Sequence, residues 1–127
     1  MNNGLKIQTI NENDQIIAVV KDKELLITDA QSALDLMATV RYETGGDRMA
    51  LYKENIADAF FVLSTGLAGE ILQKFVNYGV MLAIVGDFTG YTSKPLRDFM
   101  YESNRGSSVF FVGTVEDAVI KLSEARG

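Results

Sequence analysis

The chain alternates short apolar runs with longer segments in which apolar residues recur every three or four positions. Residues 5–10 and 15–20 are rich in β-branched side chains and are separated by the polar residues 11–14. Two such runs around a polar break predict a β-hairpin. Further short apolar runs at residues 48–53, 80–85 and 109–112 predict three more strands. The continuous run at 80–85 is typical of a strand that is covered on both faces.

In the segments between these strands, apolar residues recur at the three- or four-residue spacing of a helix. Asp29 is a predicted N-cap, and an apolar stripe follows it until Gly45. A second helix is predicted from about residue 66 to residue 78, with Gly79 just beyond its end. Ser93 is predicted to cap a third helix, and Thr114 a fourth.

The resulting order is β-β-α-β-α-β-α-β-α. Strands that alternate with helices predict one α/β layer structure with a mixed, mostly parallel sheet, to which the opening hairpin adds an antiparallel strand. No repeat, linker or low-complexity segment interrupts the order. We therefore predict a single α/β domain over residues 1–127.

The composition excludes several kinds of chemistry. The 127 residues include neither cysteine nor histidine, which excludes thiol nucleophiles, disulfides and a Ser-His-Asp triad. We therefore expect no metal and no cofactor. The net charge of −5 speaks against nucleic acid as a partner, because such binding usually needs a basic face.

The sequence also lacks membrane and export signals. Its first residues have neither a basic start nor an apolar stretch, and its apolar runs are too short to cross a bilayer. We expect a cytoplasmic protein that does not bind a membrane.

Polar hydroxyls lie where an apolar run turns into the second helix. Ser64, Thr65 and Gly66 occupy this junction, and Gly69 follows one turn later. A hydroxyl here caps the helix, or stands where a phosphate would be well tolerated beside unpaired backbone N–H groups. The glycines indicate either close packing of the helix on the sheet or backbone that is open to an anion or a partner.

A second group of polar residues follows two neighbouring strands. Lys53 and Asn55 come after the third strand, and Asp87 and Tyr91 come after the fourth. Because the carboxyl ends of parallel strands form one edge of a sheet, we expect these four side chains to gather near Thr65. The alternative is ordinary loop polarity, in which Asn55 caps a short turn.

Four segments of this chain are similar to an uncharacterised bacterial family, the domain of unknown function 4180. The resemblance covers nearly the whole chain and implies no activity. The matching segments are Lys53-Glu54-Asn55-Ile56, Thr65-Gly66-Leu67-Ala68-Gly69-Glu70-Ile71-Leu72-Gln73-Lys74-Phe75, Ala83-Ile84-Val85-Gly86-Asp87-Phe88 and Tyr101-Glu102-Ser103-Asn104.

The order of elements also resembles the STAS superfamily, the fold of bacterial anti-sigma-factor antagonists. In that family a hydroxyl residue just before a glycine opens the second helix and is phosphorylated by a partner kinase, which breaks the complex. The resemblance places Thr65 at that position, within Leu63-Ser64-Thr65-Gly66-Leu67. Leu63 stands where the family has an aspartate.

These observations lead to three hypotheses. The first is a small regulatory module that binds a protein partner, regulatory or kinase-like, through the surface around Ser64, Thr65 and Gly66. The second is a small-ligand-binding protein or enzyme that uses the polar groups at the carboxyl edge. No residue spacing indicates a reaction class, so binding is favoured over catalysis. The third is a homo-oligomer built on exposed apolar residues, with Phe60, Phe61 and Met100 as candidates.

Overall fold

The computed structural model describes residues 4–126 and contains one five-stranded sheet in the order β1-β2-β3-β4-β5. β1 runs antiparallel to β2, and the remaining neighbours are parallel. This confirms the predicted mixed, mostly parallel sheet and its opening hairpin. The strands are β1 (Lys6–Glu12), β2 (Gln15–Lys21), β3 (Arg48–Tyr52), β4 (Met81–Val85) and β5 (Val109–Val112).

Helices cover both faces of the sheet and follow the predicted order. The helices are α1 (Ala30–Thr44), α2 (Leu67–Asn77), α3 (Lys94–Asn104) and α4 (Val115–Glu124). One core cluster joins the first three helices to one face, and it includes Leu36, Ile71 and Leu96. A second cluster, with Ala118 and Leu122 of α4, covers the opposite face. All of β4 is buried between the two, as its continuous apolar run predicts.

The predicted ends of the helices are confirmed where the local chemistry is strong. Asp29 forms a capping box with Ser32 at the start of α1, and Gly45 ends that helix in the left-handed region at φ 74°. Ser93 and Thr114 each accept a backbone N–H at the start of α3 and α4. These contacts satisfy backbone groups that have no partner inside the helix.

The hairpin turn consists of Asn13 and Asp14, which have φ of 59° and 62°. Positive φ at both central residues defines a type I′ turn, whose twist matches that of the flanking strands. Type I′ turns most often contain Asn-Gly. Here the turn forms without glycine, because asparagine and aspartate tolerate the left-handed region better than most residues. Its geometry fixes the register, in which Glu12 stands opposite Gln15.

The segment between β3 and α2 consists of three 3₁₀ turns, at Lys53–Asn55, Asp58–Phe61 and Leu63–Thr65. Phe60 and Phe61 are buried in it, at 1% and 5% exposure, as expected for core residues. Met100 is 9% exposed. The proposal of a homo-oligomer through these three side chains is therefore wrong, since none presents an apolar surface to a partner.

Within residues 4–126, no helix is long and apolar enough to cross a membrane, and no cluster of acidic side chains could hold a metal ion. Residues 1–3, which belong to the sequence start considered above, lie outside the described part of the chain. The single domain over residues 1–127 stays a prediction.

Candidate functional site

Thr65 lies in the last of the three 3₁₀ turns, one residue before the N-cap of α2. Its Oγ1 lies 2.8 Å from the carbonyl oxygen of Ala59 and 2.9 Å from that of Val62, and donates to them. The same oxygen accepts the backbone N–H of Leu67 at 3.2 Å. The hydroxyl thus ties the start of the helix to the turn before it, although the side chain itself is exposed.

The N-cap of α2 is Gly66, so the expectation that the Thr65 hydroxyl caps from the N-cap position needs correction. Gly66 has no side chain with which to cap the helix, and its backbone lies in the left-handed region at φ 76°. A left-handed backbone at this point favours glycine. Thr65, the residue before the N-cap, still caps the helix in part, because its hydroxyl oxygen accepts the N–H of Leu67, the first residue of α2.

Gly69 does not pack closely on the sheet. A Cβ added to Gly69, or to Gly66, would meet no atom within 4 Å. The interpretation of these glycines as close helix-to-sheet contacts is therefore wrong. Both leave the first turn of α2 bare, so that its backbone can be approached from outside.

Apolar side chains surround this bare turn. Val62 is 52% exposed, while Leu63 and Leu67 are half-buried and pack partly on the core. Ser64 is exposed, and no hydrogen bond of its hydroxyl is found within residues 4–126. We call residues 62–67 the docking segment. It combines an exposed apolar side chain with a backbone that the Thr65 hydroxyl holds in place.

The structure brings together three of the four polar residues predicted at the carboxyl edge. The Nζ of Lys53 donates to the backbone oxygen of Asp87 at 2.8 Å. The same ammonium lies 5.3 Å from the centre of the Tyr91 ring and 6.0 Å from that of Phe88. A cation held over two aromatic rings gains electrostatic attraction from both. Lys53 therefore links the end of β3 to the loop after β4.

Gly86 makes this link possible. A Cβ at Gly86 would lie 2.8 Å from the Cβ of Lys53 and 3.1 Å from its Cδ. The absence of a side chain lets the stem of Lys53 cross the end of β4 to reach Asp87. The sequence signal was the glycine directly after a buried strand, which is consistent with a close approach of another segment.

Asp87 and Tyr91 both have shifted pKa values. Hydrogen bonds from the hydroxyl and the backbone N–H of Thr89 lower the pKa of the Asp87 carboxyl, and the positive charge of Lys53 adds to this effect. Burial raises the pKa of the Tyr91 phenol, and the negative charges of Asp58 and Glu54 raise it further. At neutral pH the cluster thus presents an ionised carboxylate and a neutral phenol.

Asp87, Thr89 and Tyr91 line an open groove of about 720 Å³ between the loop after β4, the start of α3 and the end of β5. Arg97, which the sequence analysis did not single out, contributes a cation to the same groove. The floor is apolar and includes Phe111. The groove is open to solvent, so it does not enclose a reaction.

Asn55 does not join this cluster, and it caps no turn. It is buried at 3% exposure, and its Nδ2 donates to the backbone oxygens of Asp22 and Glu24 at 2.7 and 2.9 Å. Its own backbone oxygen accepts the N–H groups of Leu26 and Ile27. Asn55 therefore holds the segment between β2 and α1, and the expectation that its side chain gathers with those of Lys53, Asp87 and Tyr91 is wrong.

Thr65 and the groove are connected through one shared segment. No direct hydrogen bond or ring contact between Thr65 and Lys53, Asp87 or Tyr91 is found within residues 4–126. Tyr91 stacks on Phe61 with ring centres 5.2 Å apart. Phe61 lies between Ala59 and Val62, whose carbonyls bond the Thr65 hydroxyl.

A protein-family model described as a domain of unknown function, DUF4180, matches residues 12–122. The chain belongs to the DUF4180 family. This confirms the resemblance drawn from the sequence segments, and the DUF4180 description assigns no function. No curated protein matches the chain.

A solved structure from Thermotoga maritima, described provisionally as an anti-sigma factor antagonist, is similar to this DUF4180 chain. The two are 14% identical over 93% of each chain, with a TM-score of 0.47. So distant a likeness carries no argument about the site or the partner.

Proposed function

We propose that this protein is a small regulatory module that binds a protein partner through the docking segment. The observation that carries the proposal is the combination of exposure and order at residues 62–67. Val62 is half exposed, and the Thr65 hydroxyl bonds the backbone on both sides of it, at the Ala59 carbonyl and the Leu67 N–H. A surface that is ordered before binding loses little conformational entropy when a partner docks.

Modification of Thr65 would change this surface directly. A phosphate on Oγ1 removes the proton that the hydroxyl donates to the Ala59 and Val62 carbonyls. It also places about two negative charges beside those oxygens, which repel it. The turn must then open, so a phosphorylated or acidic residue at this position is expected to release the partner.

The test is capture of binding proteins from the host lysate on immobilised wild type and two matched variants. Val62→Asp and Ile120→Asp each replace an apolar side chain that is 52% exposed, one in the docking segment and one on α4. A partner retained by wild type and Ile120→Asp but lost with Val62→Asp supports the proposal. Equal loss or equal retention with both variants contradicts it.

A second pair of variants tests the regulation. Thr65→Glu adds a charge and removes the hydroxyl, whereas Ser64→Glu adds the same charge next to it and leaves the hydroxyl bonds intact. We expect Thr65→Glu to release the partner and Ser64→Glu to bind it more tightly than Thr65→Glu does. If the two variants bind the partner with equal affinity, the added charge alone weakens binding, and loss of the Thr65 hydrogen bonds plays no part.

The groove supports a second candidate function, the binding of a small polar ligand. The supporting observation is the convergence of Asp87, Tyr91 and Arg97 on one open surface. Arginine is well suited to hold a carboxylate or a phosphate. A thermal-shift screen of small carboxylates and phosphates tests this candidate, because a true ligand should stabilise wild type and not Arg97→Ala.

A further inference from the structure

The outer edge of β1 is an unpaired sheet edge whose two ends carry opposite charges. Within residues 4–126, β1 pairs with β2 alone. It begins at Lys6 and ends at Glu12, both of which are exposed. An edge strand of this kind is a template for pairing with another strand unless its sequence opposes it.

The opposite edge of the sheet is partly closed. The side chain of Asn104 donates from Nδ2 to the Phe111 carbonyl at 3.1 Å and accepts the Phe111 N–H at Oδ1 at 2.6 Å. It thereby occupies the backbone groups of β5 much as a neighbouring strand would. Side-chain bonds of this kind to the outer backbone groups of β1 are not found among the described residues.

The type I′ turn determines which backbone groups of β1 point outwards. In a two-residue hairpin the residues that flank the turn form a hydrogen-bonded pair, here Glu12 with Gln15. Because bonded and non-bonded pairs alternate along an antiparallel ladder, Gln8 and Ile10 also bond to β2. The N–H and C=O groups of Ile7, Thr9 and Asn11 therefore face outwards.

A second copy of β1 fits this edge in antiparallel register about Thr9. In that register Thr9 faces its own counterpart as a hydrogen-bonded pair, and Ile7 faces Asn11 of the second copy, so that the outward backbone groups find partners. Lys6 of each chain then stands opposite Glu12 of the other. Strand alternation puts both charges on the sheet face that Ile10 packs against.

From this symmetry of backbone groups and charges we infer that β1 is a dimerisation edge, through which two copies of the chain form one continuous ten-stranded sheet (five strands from each copy). The interface is isologous, since the same strand is used on both sides. Opposite charges directly across from each other stabilise the pairing, and like charges oppose it. The self-complementary order of Lys6 and Glu12 selects a second copy over an arbitrary strand.

The test uses charge reversal on the full chain, followed by sedimentation velocity from roughly 1 μM to roughly 1 mM, the range in which a small interface associates. Lys6→Glu and Glu12→Lys each place like charges opposite each other twice per dimer. Each is expected to weaken dimerisation by about tenfold. Arg105→Glu makes the same charge change as Lys6→Glu beside the opposite edge and should leave dimerisation unchanged.

Mixing the two variants gives the decisive result. A Lys6→Glu chain and a Glu12→Lys chain restore opposite charges at both ends of the pairing, so the equimolar mixture should form a heterodimer with the affinity of wild type. Lys6→Glu should not weaken the fold, because Lys6 stands opposite Lys21 within the chain and its reversal relieves a like-charge pair. Recovery of the dimer in the mixture would show that both variants are folded. A wild type that stays monomeric throughout, or a dimer that these reversals leave unchanged, overturns the inference.

Hydrogen exchange gives an independent readout at the level of single amides. The outward N–H groups of Ile7, Thr9 and Asn11 should exchange more slowly as the protein concentration rises. Those of Gln8 and Ile10, already bonded to β2, should not change. A dimer that leaves the outward amides unprotected uses another surface, and the inference then fails.

Discussion

Replacing Thr65 with valine tests the central structural claim about the docking segment. Valine keeps the β-branched shape and removes the hydroxyl, together with its contacts to the Ala59 and Val62 carbonyls and to the Leu67 N–H. A net hydrogen bond is worth about 1 kcal/mol, and loss of a capping contact costs about 0.5–2 kcal/mol. Because the site is exposed, water can form some of the hydrogen bonds that the hydroxyl no longer makes. We therefore expect the free energy of unfolding to fall by about 1–2 kcal/mol.

Urea denaturation followed by far-UV circular dichroism measures this change as a shift of the transition midpoint at constant m-value. Ser64→Ala is the matched control, since it removes a neighbouring exposed hydroxyl that bonds to none of residues 4–126 and should stay within about 0.5 kcal/mol of wild type. Thr65→Ser retains the hydroxyl and should recover most of the stability. If Thr65→Val is as stable as Ser64→Ala, the hydroxyl does not hold the turn. The argument that the docking segment is ordered before a partner binds would then be wrong.

Three further predictions concern the groove and its surroundings. Gly86→Ala should displace Lys53 and destabilise the fold by about 1–3 kcal/mol, whereas Gly113→Ala, whose Cβ meets nothing within 4 Å, should be close to neutral in the same urea titration. Asn55→Ala leaves two carbonyls without their donor and should cost about 2–4 kcal/mol by thermal unfolding. Tyr91 should ionise above its ordinary pKa of 10.0, so the stability it contributes is complete below pH 10 and is lost as the pH rises through the higher folded value. Ultraviolet titration should show a late-ionising phenol that Tyr91→Phe removes, and a wild type without it would contradict the burial argument.

The order of elements could be predicted from the sequence because local signals agree with the tertiary structure. Short apolar runs and period-3.6 patterns, together with caps such as Asp29 and Ser93, lie where the strands and helices of the structure form. The strand after Gly79 was predicted from its apolar run alone and is buried throughout. Such agreement across levels is what makes a sequence specify one fold.

The candidate site was only partly predictable, because its contacts depend on geometry that no periodic pattern encodes. The gathering of Lys53, Asp87 and Tyr91 followed from the rule that parallel strands end at one edge. The role of Gly86 depends on a contact with Lys53, which lies 33 positions earlier (86 − 53) in the chain. Arg97 was missed because an arginine on the exposed side of a helix resembles ordinary surface charge until the groove beside it is known.

Asn55 shows why polar residues after a strand cannot be assigned a role from position alone. It follows β3 as directly as Lys53 does, and the same rule placed both at the binding edge. The 3₁₀ turn at Lys53–Asn55 turns the chain so that Lys53 extends towards the loop after β4 while Asn55 faces the segment after β2. A buried amide needs hydrogen-bond partners, and the Nδ2 of Asn55 finds them in the Asp22 and Glu24 carbonyls. Burial, which the sequence does not reveal for a single polar residue, thus separates a structural asparagine from the lysine two positions before it.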